Sequence, residues 1–169
     1  MAAPVKKRLA LDTNVVFDLA GDQAVAHDFR EVCLELGYSL WLPPTVVEEL
    51  VYFSDRGNPR ERATALKSLN QLLSWKVFPF QLDDLDRYLA KRFSRLLRDR
   101  GLLPDEEDND GRILGETSAE RISMLVTCDG HILDIDREQL GIAFVDCDLP
   151  TAVAPIHPRL MLRVLRGRH

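Results

Sequence analysis

The sequence predicts an α/β fold in which a central parallel sheet is covered by helices on both faces. Two observations carry that expectation. Short runs that are apolar on both faces, such as Arg8 to Asp12 and Ser123 to Thr127, alternate with longer segments of helical periodicity. That is the order produced when crossover helices join buried parallel strands. In addition, Asp12 and Asp129 each follow one of these runs directly, and open parallel sheets gather their ligands at the carboxyl ends of their strands. The chain of 169 residues suits one domain, spanning 1–169, with a core large enough to need no covalent staples.

Arg8 to Asp12 is the first strand, ended by Asp-Thr-Asn, residues that favour turns and caps. Val15 to Ala20 is helical and breaks at Gly21. From Ala24 to Leu36 the positions Val25, Phe29, Val32, Cys33 and Leu36 repeat with helical spacing, and Gly37 supplies the C-cap. Tyr38 to Leu42 is a second strand, stopped by Pro43-Pro44. Thr45 and Glu48 have capping-box spacing for a helix that runs to about Phe53. A polar stretch, Ser54 to Asn58, leads to a charged amphipathic helix ending near Leu73. Val77 to Phe80 is a short strand or an extended connection. Asp84 to Arg100 is helical, with Leu85, Leu89, Phe93 and Leu96 on one stripe.

After an acidic loop from Gly101 to Asp108, a helix starts near Asp110 and runs to about Arg121. The strand Ser123 to Thr127 follows, then a loop through Asp129, and a last strand is expected over Ile142–Val145.

Composition narrows the function classes. With 46% hydrophobic and 29% charged residues the chain has the balance of a globular protein. No apolar run is long enough to span a bilayer and no signal-peptide core follows the first lysines, so a cytoplasmic location without membrane contact is expected. The cysteines are Cys33, Cys128 and Cys147, with no Cys-x-x-Cys pair, which suggests neither a disulfide framework nor a thiolate zinc site. A net charge of −5 argues mildly against a protein that coats nucleic acid. Its distribution is uneven, however: beyond Asp148 there are no acids, while Arg159, Arg163, Arg166 and Arg168 follow.

Four acids stand out. Asp12 and Asp129 end strands that should meet at one sheet edge. Glu49 flanks the apolar stripe Val46, Val47, Leu50, Val51 and Phe53, whereas Glu48 lies farther toward solvent. Asp110 precedes Ile113 and Leu114 by three and four residues, which turns it toward the core side. Small residues after it (Gly111, Gly115, Ser118, Ala119) suggest close packing on the sheet. Each acid alone has an ordinary explanation, as a turn former or helix cap. Together they form a set of carboxylates without neutralising partners, and such a set is ordinarily held together by a divalent cation. Thr13, Asn14 and Thr127 are the short polar side chains placed to support them. Asp105, Glu106, Glu107 and Asp108 read as a solvated acidic loop, Cys128 as core and His131 as a loop residue.

The order LDTN, VVEEL, NDGRIL, LVTCD resembles the PIN domain of metal-dependent ribonucleases, which includes the VapC-type toxins of bacterial toxin–antitoxin pairs. The matching motifs run from Asp12 to Asp129. The expected strand Ala143–Val145 and the turn into Pro158-Arg159-Leu160 fit the C-terminal end of that family. The resemblance implies a three-layer α/β/α sandwich and an acidic quartet of Asp12, Glu49, Asp110 and Asp129. The quartet would bind Mg²⁺ or Mn²⁺, and Asn14 and Thr127 would support it. It further implies hydrolysis of RNA phosphodiesters to 5′-phosphate and 3′-hydroxyl ends, an antitoxin protein as partner, and a homodimer. Helical elements between about 59 and 100 lengthen the usual interval and are expected to cap the groove. A basic tail, about 156–169, is a candidate grip for RNA or antitoxin.

Two alternatives remain at this point. One is a non-catalytic PIN-like module that binds RNA or protein. The other is a phosphatase of the haloacid dehalogenase type, which places a second Asp two residues after the first, where this chain has Asn14.

Overall fold

In the computed structural model, residues 7–167 are described. Lys6, Arg168 and His169 of the charged termini lie outside that range. The first half runs β1 (Arg8–Leu11), α1 (Thr13–Ala20), α2 (Ala24–Glu35), β2 (Ser39–Leu42), α3 (Pro44–Arg56), α4 (Pro59–Gln71) and β3 (Val77–Pro79). The second runs α5 (Asp84–Asp99), α6 (Asp108–Ala119), β4 (Met124–Val126), α7 (Gly130–Leu133), α8 (Arg137–Asp146), β5 (Ala154–Ile156) and α9 (Pro158–Arg166).

The sheet has five strands in the order β3-β2-β1-β4-β5, and every pairing is parallel. Leu9, Ala10, Leu11, Leu40, Leu42, Leu125 and Val126 are all buried, because parallel strands joined by crossovers are covered on both faces. One helical group is α1, α2, α3, α4 and α9, and the other is α5, α6 and α8, with α3 also touching α6. This is the three-layer sandwich anticipated above. Because β1 and β4 are neighbours, the residues that follow them, Asp12 and Asp129, arrive at the same edge.

Three local readings change. Ile142–Val145 is not a strand but the end of α8, and the edge strand is β5, Ala154–Ile156. The reason is periodicity: Leu140, Ala143, Phe144 and Cys147 are buried while Ile142 and Val145 are exposed, a spacing of three and four that only a helix satisfies. Asp136 caps that helix by accepting from the Gln139 N–H.

Thr45 and Glu48 do not form a capping box. Pro43 is the cap residue of α3, Glu48 pairs with Arg87, and the Thr45 donors go to Glu116 on α6.

The buried face of α5 is Ala90, Phe93, Ser94 and Leu97, rotated from the expected stripe so that Leu85 is exposed. Small residues cause the rotation. A Cβ on Gly111 would come within 2.7 Å of Ser94 Cα, and one on Gly115 within 2.8 Å of Ala90 Cα. Those glycines therefore let α6 approach α5 rather than the sheet. Phe93 then stacks on Phe144 of α8 with ring centroids 4.4 Å apart.

The described part of the basic tail, up to residue 167, is mainly helix α9. Met161, Leu162 and Leu165 of α9 are buried, and the helix packs against α2. Arg166 pairs with Asp28. Among the described residues no helix is long and apolar enough to cross a membrane, and all three cysteines are free thiols.

Candidate metal centre

Asp12 belongs to two elements at once. Its N–H donates to Val126 O at 3.0 Å, which makes it the last rung between β1 and β4. Its side chain then caps α1, Oδ1 accepting from Thr13 N at 2.7 Å. Oδ2 accepts from the Thr127 hydroxyl at 2.7 Å and from Asn14 Nδ2 at 3.1 Å. The carboxyl is only 2% exposed. Burial raises its pKa, and nearby Asp129 adds to that, against the hydrogen bonds that favour the charged form.

Thr127 is the hinge of the arrangement. While donating to Asp12, its oxygen accepts from Asp129 N at 3.0 Å, so one hydroxyl fixes the ends of both strands. Asn14 performs a similar service: its Oδ1 accepts from Cys128 N at 3.0 Å, tying α1 to the loop after β4. Thr13 donates its hydroxyl to Glu49 Oε1 at 3.0 Å, bringing α3 into the group. Burial is the main reason the Glu49 carboxyl is pushed up to about 7; Thr13 and the neighbouring Asn109 pull it down, while Asp12 raises it further.

Asp110 occupies the first turn of α6, where a carboxylate is favoured by the helix dipole. It is 8% exposed, yet its Oδ2 is buried without a hydrogen-bond donor. Burial first, then the charges of Asp12, Asp129 and Glu107, raise its pKa well above the carboxylate range. Asp110 and Asp129 are close enough to share a hydrogen bond, but only while one of them holds a proton. Ionised, the pair needs a cation.

A fifth acid completes the site. Oxygens of Glu107, Asp110 and Asp129 all lie within 4.8 Å of one another, a spacing that lets one oxygen-loving cation with bonds of about 2.0–2.6 Å touch all three. Among the described residues no lysine or arginine pairs with Asp12, Glu49, Glu107, Asp110 or Asp129. The nearest basic group is His131, whose Nε2 lies 4.0 Å from Glu107.

The structure thus brings the four predicted acids to one edge, with Thr13, Asn14 and Thr127 bonded among them. Sequence reasoning passed over Glu107, which sits in a run of acids with no apolar neighbour to fix its direction. Its place at the cap position of α6, one helical turn before Asp110, was the available signal.

The donor set fits a hard divalent cation on two counts. All its atoms are carboxylate oxygens, and Asp110, one of its members, keeps a buried oxygen with no hydrogen-bond partner.

No protein-family profile and no curated protein sequence matches the chain. Solved structures do. VapBC2 from Rickettsia felis, crystallised with a DNA fragment from its promoter, superposes with a TM-score of 0.59 at 17% identity, over 88% of this chain and 98% of that one. FitAB bound to an IR36 DNA fragment gives 0.53 at 15% identity, over 89% and 94%. The likeness is one of fold: this chain has a PIN-like α/β/α architecture.

Proposed function

We propose that this chain is an Mg²⁺- or Mn²⁺-dependent endoribonuclease acting in the cytoplasm, the toxin half of a toxin–antitoxin pair. The observation that carries the reading is the cluster of Glu107, Asp110 and Asp129, in which Asp110 keeps a buried oxygen without a hydrogen-bond partner and feels the charges of Asp12 and Asp129. Five acids without an arginine or lysine partner would destabilise the fold if nothing offset their charge.

Glu107, Asp110 and Asp129 would hold the cation, with Asp12 at its edge. Once bound, such an ion supplies Lewis-acid stabilisation of the phosphoryl oxygens and lowers the pKa of a bound water. The protein's own part is placement and proton traffic. Thr127 and Asn14 hold Asp12 in one rotamer, and Thr127 also fixes the Asp129 backbone. Glu49, steadied by Thr13, is the group we assign to take a proton from the attacking water. In-line attack of that water on phosphorus would break the P–O3′ bond, and the departing 3′ oxygen would take a proton from solvent, leaving a 5′-phosphate and a 3′-hydroxyl.

The two structures of similar fold are complexes named as pairs, VapBC2 and FitAB. By analogy we assign this chain an antitoxin partner, with a homodimer as the assembled unit.

The test is cleavage of a panel of single-stranded and structured RNAs with Mg²⁺, Mn²⁺ or EDTA, with the Asp12→Asn protein alongside. Cutting that disappears in EDTA and in the variant is expected. Full activity in either condition sinks the assignment. Binding without any cutting would favour a non-catalytic module.

A further inference from the structure

We propose that the cleft between α3 and the start of α6 is a nucleobase subsite, in which an unpaired base next to the scissile phosphate stacks on Tyr52. This inference rests on the ribonuclease reading of the adjoining acids.

The cleft has a volume of about 430 Å³ and is lined by Thr45, Glu48, Glu49, Tyr52, Phe53 and Asn109, a size within the range of ligand pockets. It shares Glu49 with the acidic cluster, so an occupant lies one side chain from the chemistry. Its aromatic wall is built rather than incidental. Phe53 is held edge-on by Phe17, centroids 5.6 Å apart, and Tyr52 meets Phe53 at 5.7 Å and 73°. Tyr52 itself remains 58% exposed, leaving aromatic surface with no protein partner.

Charge decides what fits there. Glu49, which has no basic partner, lines the cleft beside the other acids and disfavours a phosphate there, so the occupant should be uncharged, and the exposed Tyr52 ring favours a flat one. The Thr45 donors are committed to Glu116 and Glu48 is committed to Arg87. Asn109 donates one amide N–H to Glu49, which leaves its second N–H and its carbonyl oxygen for a base edge. A stacking pocket of this kind accepts only bases that are splayed out of a helix, so it selects single-stranded RNA over duplex.

The experiment measures fluorescence anisotropy of a labelled single-stranded RNA oligonucleotide on the Asp12→Asn protein, with and without Tyr52→Ala or Tyr52→Phe. A series of oligonucleotides carries one abasic position moved along the strand. Stacking of one base is worth about 1–3 kcal/mol, so Tyr52→Ala should weaken binding roughly 5- to 150-fold, and Tyr52→Phe should retain affinity. One abasic position should reproduce the loss, and that position should cost nothing further in Tyr52→Ala.

If Tyr52→Ala binds like its parent, or the abasic penalty persists in it, the subsite is wrong; failure of every oligonucleotide to bind has the same meaning and turns the cleft over to a protein segment. The same oligonucleotides are then offered to the wild-type protein with Mg²⁺. Tyr52-dependent binding without cleavage overturns the nuclease reading and leaves the subsite standing. Cleavage indifferent to Tyr52 does the reverse.

Discussion

Two buried carboxylates on α6, six residues apart, have opposite surroundings. Glu116 is 3% exposed and accepts from Thr45 N at 2.8 Å and Thr45 Oγ1 at 2.8 Å. It caps the start of α3 from another helix. Asp110 is nearly as buried but has an oxygen that no donor reaches, and its neighbours are further acids. Burial raises both pKa values. The difference teaches how to separate structural from functional acids: where the protein supplies the donors, the group holds the fold together; where it withholds them, the group waits for something the chain does not contain.

The contrast should break most clearly in activity. Asp110→Asn removes a charge from the cluster, so cleavage should fall on the order of 100-fold or more, while the metal-free protein unfolds at the same temperature or higher. A variant that cuts RNA at the wild-type rate would move Asp110 into the structural class.

Next in size is Glu116→Ala, which leaves two buried Thr45 donors unpaired. It should cost about 2 kcal/mol in urea unfolding, with Glu116→Gln milder because one acceptor remains. Since α3 carries Glu49 and Tyr52, some activity should be lost in proportion to the loosened helix. No loss of stability in the alanine variant would mean that the cap is idle.

A further effect is the pH dependence of the metal-free protein. Glu49 and Glu116 are both raised from the ordinary 4.5 to about 7, so between those values the folded state holds more protons than the unfolded one. The stabilisation from protonation is complete below about pH 4.5 and is lost as pH rises through about 7. Stability should therefore decline across that window. Glu116→Gln should flatten the decline, and an unchanged slope would show that Glu116 is not among its sources.

Much of this was legible in the sequence. Strand-end acids announce themselves because a buried parallel strand has a readable length, and the residue after it must lie at the ligand edge; Asp12 and Asp129 follow from that alone. Glu49 followed from helical phase. Other features depended on distance rather than pattern. Glu116 caps α3 across 71 residues, a pairing no local spacing encodes, and it displaced the Thr45–Glu48 box that local spacing suggested. Ile142–Val145 looked like a strand because an apolar four-residue run has no periodicity of its own. Only the flanking Leu140 and Cys147 show the phase to be helical. Glu107 was hidden by its acidic neighbours, although it occupies a cap position one turn from Asp110.

The most direct measurement is the thermal midpoint at pH 8 as Mg²⁺ or Mn²⁺ is added to wild type, Asp110→Asn and Glu116→Gln. An ion that binds only the folded state stabilises it by about 2.7 kcal/mol at a hundred times its dissociation constant. The wild type and Glu116→Gln should therefore rise together, and Asp110→Asn should not move. Equal rises in all three, or none in the wild type, would contradict a metal centre built around Asp110.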